Sequence, residues 1–384
     1  MSEWKEVRLQ EVTDIIGDGI HGTPSYDNNG EYYFINGSNL CDGKIVINND
    51  TKRVNYEDFL KHKKELNQNT ILISINGTIG NTALYQGEKC ILGKSACYIN
   101  VNHLYDKYFI YYILSSRKFS RSISFQANGT TIKNVSLKQI REYSFFIPST
   151  YEDQKDISSI LRHIDAKIET NNKLNEKLEE MAQAIFKSWF VDFEPFKNQP
   201  FYETELGMIP EGWEIINLKE IVEENPKSKI KVSDARDNKG PYPFFTSGKS
   251  ILRYDDYLVD NFNVFLNTGG VADIKFYIGK ANYSTDTWCI RGKEKCSTFL
   301  FYYLKNILEE INFKYFEGSA LKHLQKKKLL ERKIIFPSTY IMKEYLEIVN
   351  PLLIQQSMQS KQSQRLASLR DTLLPRLMSG EIKI

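Results

Sequence analysis

Phe146-Ile-Pro-Ser-Thr-Tyr151 and Ile335-Phe-Pro-Ser-Thr-Tyr340 are each followed by about 39 residues of helical pattern, and this recurrence decides the fold. Reading outward from it, the likeness continues on the upstream side. Asn128-Gly-Thr-Thr-Ile-Lys133 is answered by Glu317-Gly-Ser-Ala-Leu-Lys322, and Tyr108-Phe-Ile-Tyr-Tyr-Ile-Leu114 by Phe299-Leu-Phe-Tyr-Tyr-Leu-Lys305. Trp4-Lys-Glu-Val-Arg-Leu-Gln-Glu-Val12 is answered by Trp213-Glu-Ile-Ile-Asn-Leu-Lys-Glu-Ile221, and the order is the same in both halves. The offset is 209 at the tryptophans and 189 to 191 from Asn76/Asn267 onward, so the second copy lacks about twenty residues between these points. Solenoids repeat many times at periods of roughly 20 to 50 residues; two copies of about 190 imply a duplication and a pseudo-two-fold molecule.

Each copy has two parts. Residues 1–151 and 201–340 alternate short β-branched and aromatic runs, such as Thr70-Ile-Leu-Ile-Ser-Ile75 and Asn263-Val-Phe-Leu266, with Gly/Asn/Asp turns. This pattern predicts two α+β domains. Residues 152–200 and 341–384 are predicted to be spacer helices. Apolar residues fall at Ile157, Ile160, Ile164, Ile168, Leu174, Leu178, Met181 and Ile185, the a and d positions of a heptad. The second stripe is weaker: Leu346, Val349, Leu353, then Leu366, Leu369, Leu373 and Leu377 around a Gln/Ser-rich interval. The expected fold class is therefore α+β, with two domains separated by two long helices that form an antiparallel coiled coil. Ile164, Leu174, Leu178, Met181, Leu353, Leu366 and Leu369 are its expected seam. Pro351 and Pro375 each remove a helical hydrogen bond, which predicts a start or kink near 351 and an end near 374. At ~1.5 Å per residue each helix would span roughly 58 Å. The plainer alternative is two surface helices docked separately on their own domains.

Composition bounds the function classes. The chain has 384 residues, 41% hydrophobic and 26% charged, with 23 Tyr and 22 Phe, so it folds, and its length asks for more than one domain. Its N-terminus is charged and no apolar run of about 18 residues occurs, which predicts a cytoplasmic protein without membrane contact. Five cysteines without a Cys-x-x-Cys pair, and five scattered His, support neither a disulfide framework nor a zinc site.

The net charge of +3 is unevenly spread: +2 over residues 1–151, −4 over 152–194, +3 over 195–340 and +2 over 341–384. Residues 107–141 carry Lys107, Arg117, Lys118, Arg121, Lys133, Lys138 and Arg141 and no acid, and Lys322, Lys326, Lys327, Lys328, Arg332 and Lys333 recur in the second copy beside one acid, Glu331. Cations next to a Gly-Thr-Thr or Gly-Ser-Ala turn that opens a helix suit phosphate, because counterions are released and backbone N–H groups meet the anion. Gln126, Asn128, Thr130 and Thr131 are candidates for reading base edges. With Lys94, Arg117, Lys118, Arg121, Lys133, Lys249, Ser319, Lys322, His323, Lys326 and Lys327 they make up the expected DNA-contacting set. The bland reading of either basic stretch is a solvated helix face.

Catalytic motifs fail. Gly93-Lys-Ser95 and Gly248-Lys-Ser250 resemble the ends of phosphate loops, but Glu88 and Pro243 stand where glycine is required. No Asn-Pro-Pro-aromatic segment and no convincing nuclease carboxylate set appears, so no catalytic residue is assigned.

Three segments complete the pattern: Ala184-Ile-Phe-Lys-Ser-Trp-Phe-Val-Asp-Phe-Glu-Pro195, Thr204-Glu-Leu-Gly-Met-Ile-Pro-Glu-Gly-Trp213 and Leu366-Ala-Ser-Leu-Arg-Asp-Thr-Leu-Leu-Pro-Arg-Leu-Met-Ser-Gly-Glu-Ile382. With them in this order, the chain resembles the specificity subunits of type I restriction-modification systems along its whole length. The resemblance implies two target-recognition domains, each reading one half of a split double-stranded DNA site, and helices that set the spacing and receive two methyltransferase subunits. It further implies restriction (nuclease-translocase) subunits in the larger complex. S-adenosylmethionine, ATP and magnesium are then expected on those partners, with no cofactor bound by this chain and no catalysis of its own. One departure is the lack of an Ile-Pro-Glu-Gly-Trp segment before Trp4, so the lead into the first domain is expected to be abbreviated. The competing readings are a self-contained DNA nuclease or methyltransferase and a coiled-coil scaffold with RNA-binding ends.

Overall fold

The computed structural model describes residues 3–126, 134–319 and 322–382. The chain divides into two compact units, Met1–Ile168 with Gln364–Ile384, and Glu169–Ser363. Each unit holds one α+β domain and part of each of two long helices, Tyr151–Phe190 and Thr339–Met378. Both helices have 40 residues, about 60 Å at 1.5 Å rise per residue.

In the first unit, strands Thr13–Asp18, Ala96–Val101, Thr70–Ser74 and Thr82–Leu84 form an antiparallel sheet in that order. All five positions of Thr70–Ser74 are buried, which is why this run shows no alternation: both its faces are covered. A second sheet joins Arg53–Val54, Tyr32–Ile35 and Cys90–Leu92, the last pair parallel, and Trp4–Arg8 pairs with Ser144–Pro148. The second unit has the same plan. Val222–Glu224, Thr287–Gly292, Phe262–Asn267 and Ile274–Ile278 form its four-stranded sheet. Ile251–Tyr254, Tyr242–Phe245 and Asn282–Tyr283 form the three-stranded one, again with its last pair parallel, and Glu214–Asn217 pairs with Lys333–Phe336. The duplication seen in sequence is thus a duplication of strand order. The stretch where the copies differ in length carries, in the first unit, the hairpin Leu40–Cys41/Lys44–Ile45 and the helix Tyr56–His62.

The long helices run antiparallel. In the second unit Asn171 Nδ2 donates to Gln362 Oε1 at 2.9 Å, Asn175 Nδ2 to Ser360 Oγ at 3.1 Å, and Gln356 Nε2 to the Asn175 carbonyl at 3.0 Å. Numbers rise on one helix as they fall on the other. The first unit contributes Arg370 Nη1 to Asp165 Oδ1 at 2.8 Å.

The seam differs in phase from the apolar stripe. Ile164, Leu178 and Leu353 are buried and Leu366 is half-buried, but Leu174, Met181 and Leu369 are exposed at 38%, 52% and 47%. The buried line on the central helix runs Leu161, Ile164, Asn171, Leu178, Ala182, Phe186, Phe190. Asn171 and the half-buried Asn175 thus occupy positions that a purely apolar stripe skips, and Leu174 and Met181 each fall one residue short of the seam. The physical reason is the polar middle: Asn171 and Asn175 are matched by Gln356, Ser360, Gln362 and Ser363 instead of by leucines. The prolines also fail to interrupt the helix. The C-terminal helix neither starts at Pro351 nor ends before Pro375 but continues through both. Each proline lies on the exposed side, so the carbonyl it leaves unpaired can reach water, while Val349 and Leu353 around Pro351, and Leu377 and Met378 after Pro375, are held in cores.

The three segments that carry the family likeness fold against their surroundings. The Thr204–Trp213 segment lies on the hairpin Phe201–Thr204/Gly207–Pro210, with Gly207 at φ 101° in the turn. Trp213 is enclosed by Phe190, Phe193 and Phe196, with ring centroids 5.7, 5.5 and 5.2 Å away, so this segment packs directly on the one that closes the central helix. In the first unit Leu377 and Met378 join the domain core, and Gly380 ends the helix at φ 72°. A Cβ there would stand 2.9 Å from the Trp4 ring, so glycine meets both the conformation and the space.

Candidate nucleic-acid interface

In the first unit Asp106 caps helix Lys107–Ser115, its carboxylate accepting the Phe109 N–H at 2.7 Å. The next helix, Arg117–Gln126, buries Phe119 and Ile123 and exposes Arg117, Lys118 and Arg121. At 100° per residue these cations fall opposite the buried pair, and Phe125, 93% exposed, falls among them. The face is cationic with one aromatic ring. Beyond position 126 the chain returns at Asn134, bridged to Asn76, where Val135 N–H donates to the Ile75 carbonyl at 2.9 Å. The chain is thus tethered at Asn134 and Val135, just past strand Thr70–Ser74. The Gln126 side chain, Asn128, Thr130, Thr131 and Lys133 lie outside the described residues.

Other cations of this stretch have structural roles. Arg141 Nη2 donates to the Ile16 carbonyl at 2.7 Å. Lys107 donates to the Gln68 carbonyl and lies 4.8 Å from the Tyr108 ring centre; burial holds its ammonium below the usual lysine pKa.

The second unit repeats the tether. His323 bridges to Gly269, Leu324 N–H donates to the Thr268 carbonyl at 3.0 Å and Gly270 N–H to the Lys322 carbonyl at 3.0 Å, leaving the side chains of Ser319, Lys322 and His323 exposed. The short helix Lys326–Leu330 then separates three lysines that sequence treats alike. Lys326 is half-buried, its ammonium 5.1 Å from the Trp288 ring centre, with a pKa lowered by burial. Lys327 is exposed. Lys328 pairs with Glu317 at 2.7 Å. Arg332 grips Glu310 with two nitrogens at 2.7 and 2.9 Å and touches the Tyr303 and Tyr315 hydroxyls. Burial alone would lower its pKa, but the carboxylate and phenols outweigh burial and raise it. Arg332 is thus engaged inside the domain by Glu310, Tyr303 and Tyr315.

Lys94 and Lys249, both exposed, are not counterparts. Gly93 follows strand Cys90–Leu92, whose equivalent is Asn282–Tyr283, whereas Gly248 follows Tyr242–Phe245, the equivalent of Tyr32–Ile35. The two Gly-Lys-Ser triplets thus stand at different places in the repeat. What the structure groups is Arg117, Lys118 and Arg121 on one helix and Ser319, Lys322, His323 and Lys327 around one tethered turn and helix. Phe125 was missed by sequence reasoning, although helical spacing from Phe119 and Ile123 already removes it from their face.

Among the described residues there is no group of three or more His, Cys, Asp or Glu able to hold a metal ion, and no helix long and apolar enough to cross a membrane.

Comparison with known proteins bears on the family and the fold. The type I restriction modification DNA specificity domain profile matches residues 1–180 and 210–367. The type I restriction enzyme MjaIX specificity subunit of Methanocaldococcus jannaschii is 28% identical over 303 residues, 72% of this chain and 69% of that protein. The putative MjaX specificity subunit of the same organism is 25% identical over 417 aligned residues, covering 100% of this chain and 94% of that one. Among solved structures, a type I restriction-modification system S subunit from M. genitalium superposes with a TM-score of 0.63 at 18% identity, covering 98% of this chain and 96% of that one, a likeness of fold.

Proposed function

The chain belongs to the type I restriction modification DNA specificity family and is a specificity subunit; from that premise we propose how its parts divide the work. Each α+β domain reads one half of a bipartite double-stranded site, and the paired helices set the gap and dock two methyltransferase subunits and, through them, restriction subunits. Arg117, Lys118 and Arg121 on one domain, and Lys322 and Lys327 on the other, meet phosphates. The residues between 126 and 134 in the first domain, and Ser319 and His323 in the second, read the bases. The observation that supports this reading is that both domains, though divergent in sequence, expose cations near a bridge, Asn134 to Asn76 and His323 to Gly269, made just past equivalent interior strands of their four-stranded sheets. Phosphate contacts position and base contacts specify.

The chain itself carries no chemistry in this reading. S-adenosylmethionine, ATP and magnesium belong to its partners. Incubating the purified chain with DNA, magnesium and S-adenosylmethionine should transfer no methyl group and cut nothing, whereas adding the methyltransferase subunits should give methylation at a split site. Unaided methylation or cleavage would establish a self-contained enzyme instead.

A further inference from the structure

Two side-chain clusters, one in each unit, join three elements through a single carboxylate. In the first unit Asp165 of the central helix accepts the Tyr112 hydroxyl at 2.6 Å on Oδ2 and Arg370 Nη1 of the C-terminal helix at 2.8 Å on Oδ1. Tyr112 belongs to the domain and is 3% exposed. In the second unit Glu179 of the central helix accepts the Tyr302 hydroxyl at 3.2 Å and Gln356 Nε2 of the C-terminal helix at 3.1 Å, both on Oε2. Its Oε1 takes Lys305 and Gln183. Tyr302, 1% exposed, and Lys305 come from the second domain.

The two clusters are variants of one design. Tyr112 and Tyr302 come from the Tyr-Tyr pairs at 111–112 and 302–303, on equivalent helices of the two domains. The first domain uses the second member of its pair and the second domain the first. Asp165 and Glu179 stand fourteen residues apart on one helix, and their partners Arg370 and Gln356 stand fourteen apart on the other, in reversed order. Fourteen residues are two heptads, so each carboxylate has the same place in the helical repeat.

The rest of each domain's contact with its helices is mainly apolar core with a few pairwise hydrogen bonds: Asp106 N–H to Gln154 in the first unit, and Thr298 to Asn350 and Lys361 to the Ile278 carbonyl in the second. Apolar burial fixes that surfaces meet without fixing their angle. Asp165 and Glu179 are where one carboxylate ties a domain to both helices at once. A charge-assisted hydrogen bond is directional, and a buried phenol that loses its acceptor pays a desolvation cost. We propose that Asp165 and Glu179 are positioning residues that orient each recognition domain on the paired helices, and so set how strictly the protein demands one spacing between the halves of its DNA site. This rests on the recognition role given above.

The test uses the full chain assembled with its methyltransferase subunits and S-adenosylmethionine. Initial methylation rates are measured on duplexes whose half-sites stand at the native spacing or one base pair nearer or farther. Asp165→Asn, Glu179→Gln, Tyr112→Phe and Tyr302→Phe should keep both half-site sequences yet lower the preference for native spacing about fivefold, the effect of one net hydrogen bond. Ile99→Val, which trims the first domain's core away from the cluster, is the control and should leave the preference as it was. The phenylalanine variants remove one hydroxyl each and retain a measurable protein if the carboxylate variants do not fold. Unchanged preference in Tyr112→Phe and Tyr302→Phe overturns the proposal. A wild-type complex that methylates without sequence preference overturns the recognition reading itself, a distinguishable result.

Discussion

Lys326, Lys327 and Lys328 are identical in sequence and different in place. Lys326 lies over Trp288, Lys328 is engaged by Glu317, and Lys327 faces solvent. Only a cation that is free to neutralise a phosphate releases the counterions condensed on the nucleic acid. Replacing Lys327 by Gln should weaken binding to all DNA sequences alike and flatten the dependence of log affinity on log salt by about 0.9. Lys328→Gln should change the slope less, because Glu317 already neutralises that ammonium. Fluorescence anisotropy titrations over a range of salt concentrations read both, and an unchanged slope for Lys327→Gln would leave this lysine as ordinary surface.

For the helices, the seam phase is the testable element. Leu178 is 8% exposed and Leu369 47%. Leu178→Asp buries a charge without a partner and should cost roughly 3 kcal/mol or more, with failure of methyltransferase assembly. Leu369→Asp should stay within about 0.5 kcal/mol, as surface changes do. Thermal melts of the two variants decide, and equal losses would put the seam back on the apolar stripe. The polar middle has its own cost. Asn171, Asn175, Gln356 and Gln359 each keep a buried carbonyl oxygen without a hydrogen-bond partner. Such groups are poorly compensated unless water reaches them, so this part of the pair is held less by burial than the aromatic ends around Phe186 and Phe190.

Across the whole molecule, the duplication should make the two halves separable in function. Exchanging residues 1–151 for those of a relative should change one half of the methylated sequence and leave the other, which methylome sequencing reads directly. Lengthening is the harsher trial. A heptad inserted after Asn172 and after Lys361 adds ~10.5 Å to the pair. At ~3.4 Å per base pair this is about three base pairs of extra gap if the helix and duplex axes run parallel and fewer if they cross, with roughly a third of a helical turn of rotation. A lengthened protein should abandon its original spacing or stop methylating; continued methylation at that spacing would leave the helices as docking elements only.

The sequence by itself determined the architecture, because each signal was local or repeated. Recurrence of Pro-Ser-Thr-Tyr marked where both helices begin, β-branched runs such as Thr70–Ile75 and Asn263–Leu266 marked central strands, and two basic stretches in corresponding places pointed to phosphate. Three-dimensional packing decided the rest. Whether Asn171 faces the seam and Leu174 the solvent depends on what the opposite helix supplies, and a periodic count of apolar residues has no access to glutamine and serine 190 residues away. Likewise Arg117 and Arg332 read alike as basic residues, and only the fold reveals that Glu310 neutralises Arg332 while Arg117 stays exposed. A charge announces itself in a sequence, but its partner is chosen by contacts between residues far apart along the chain.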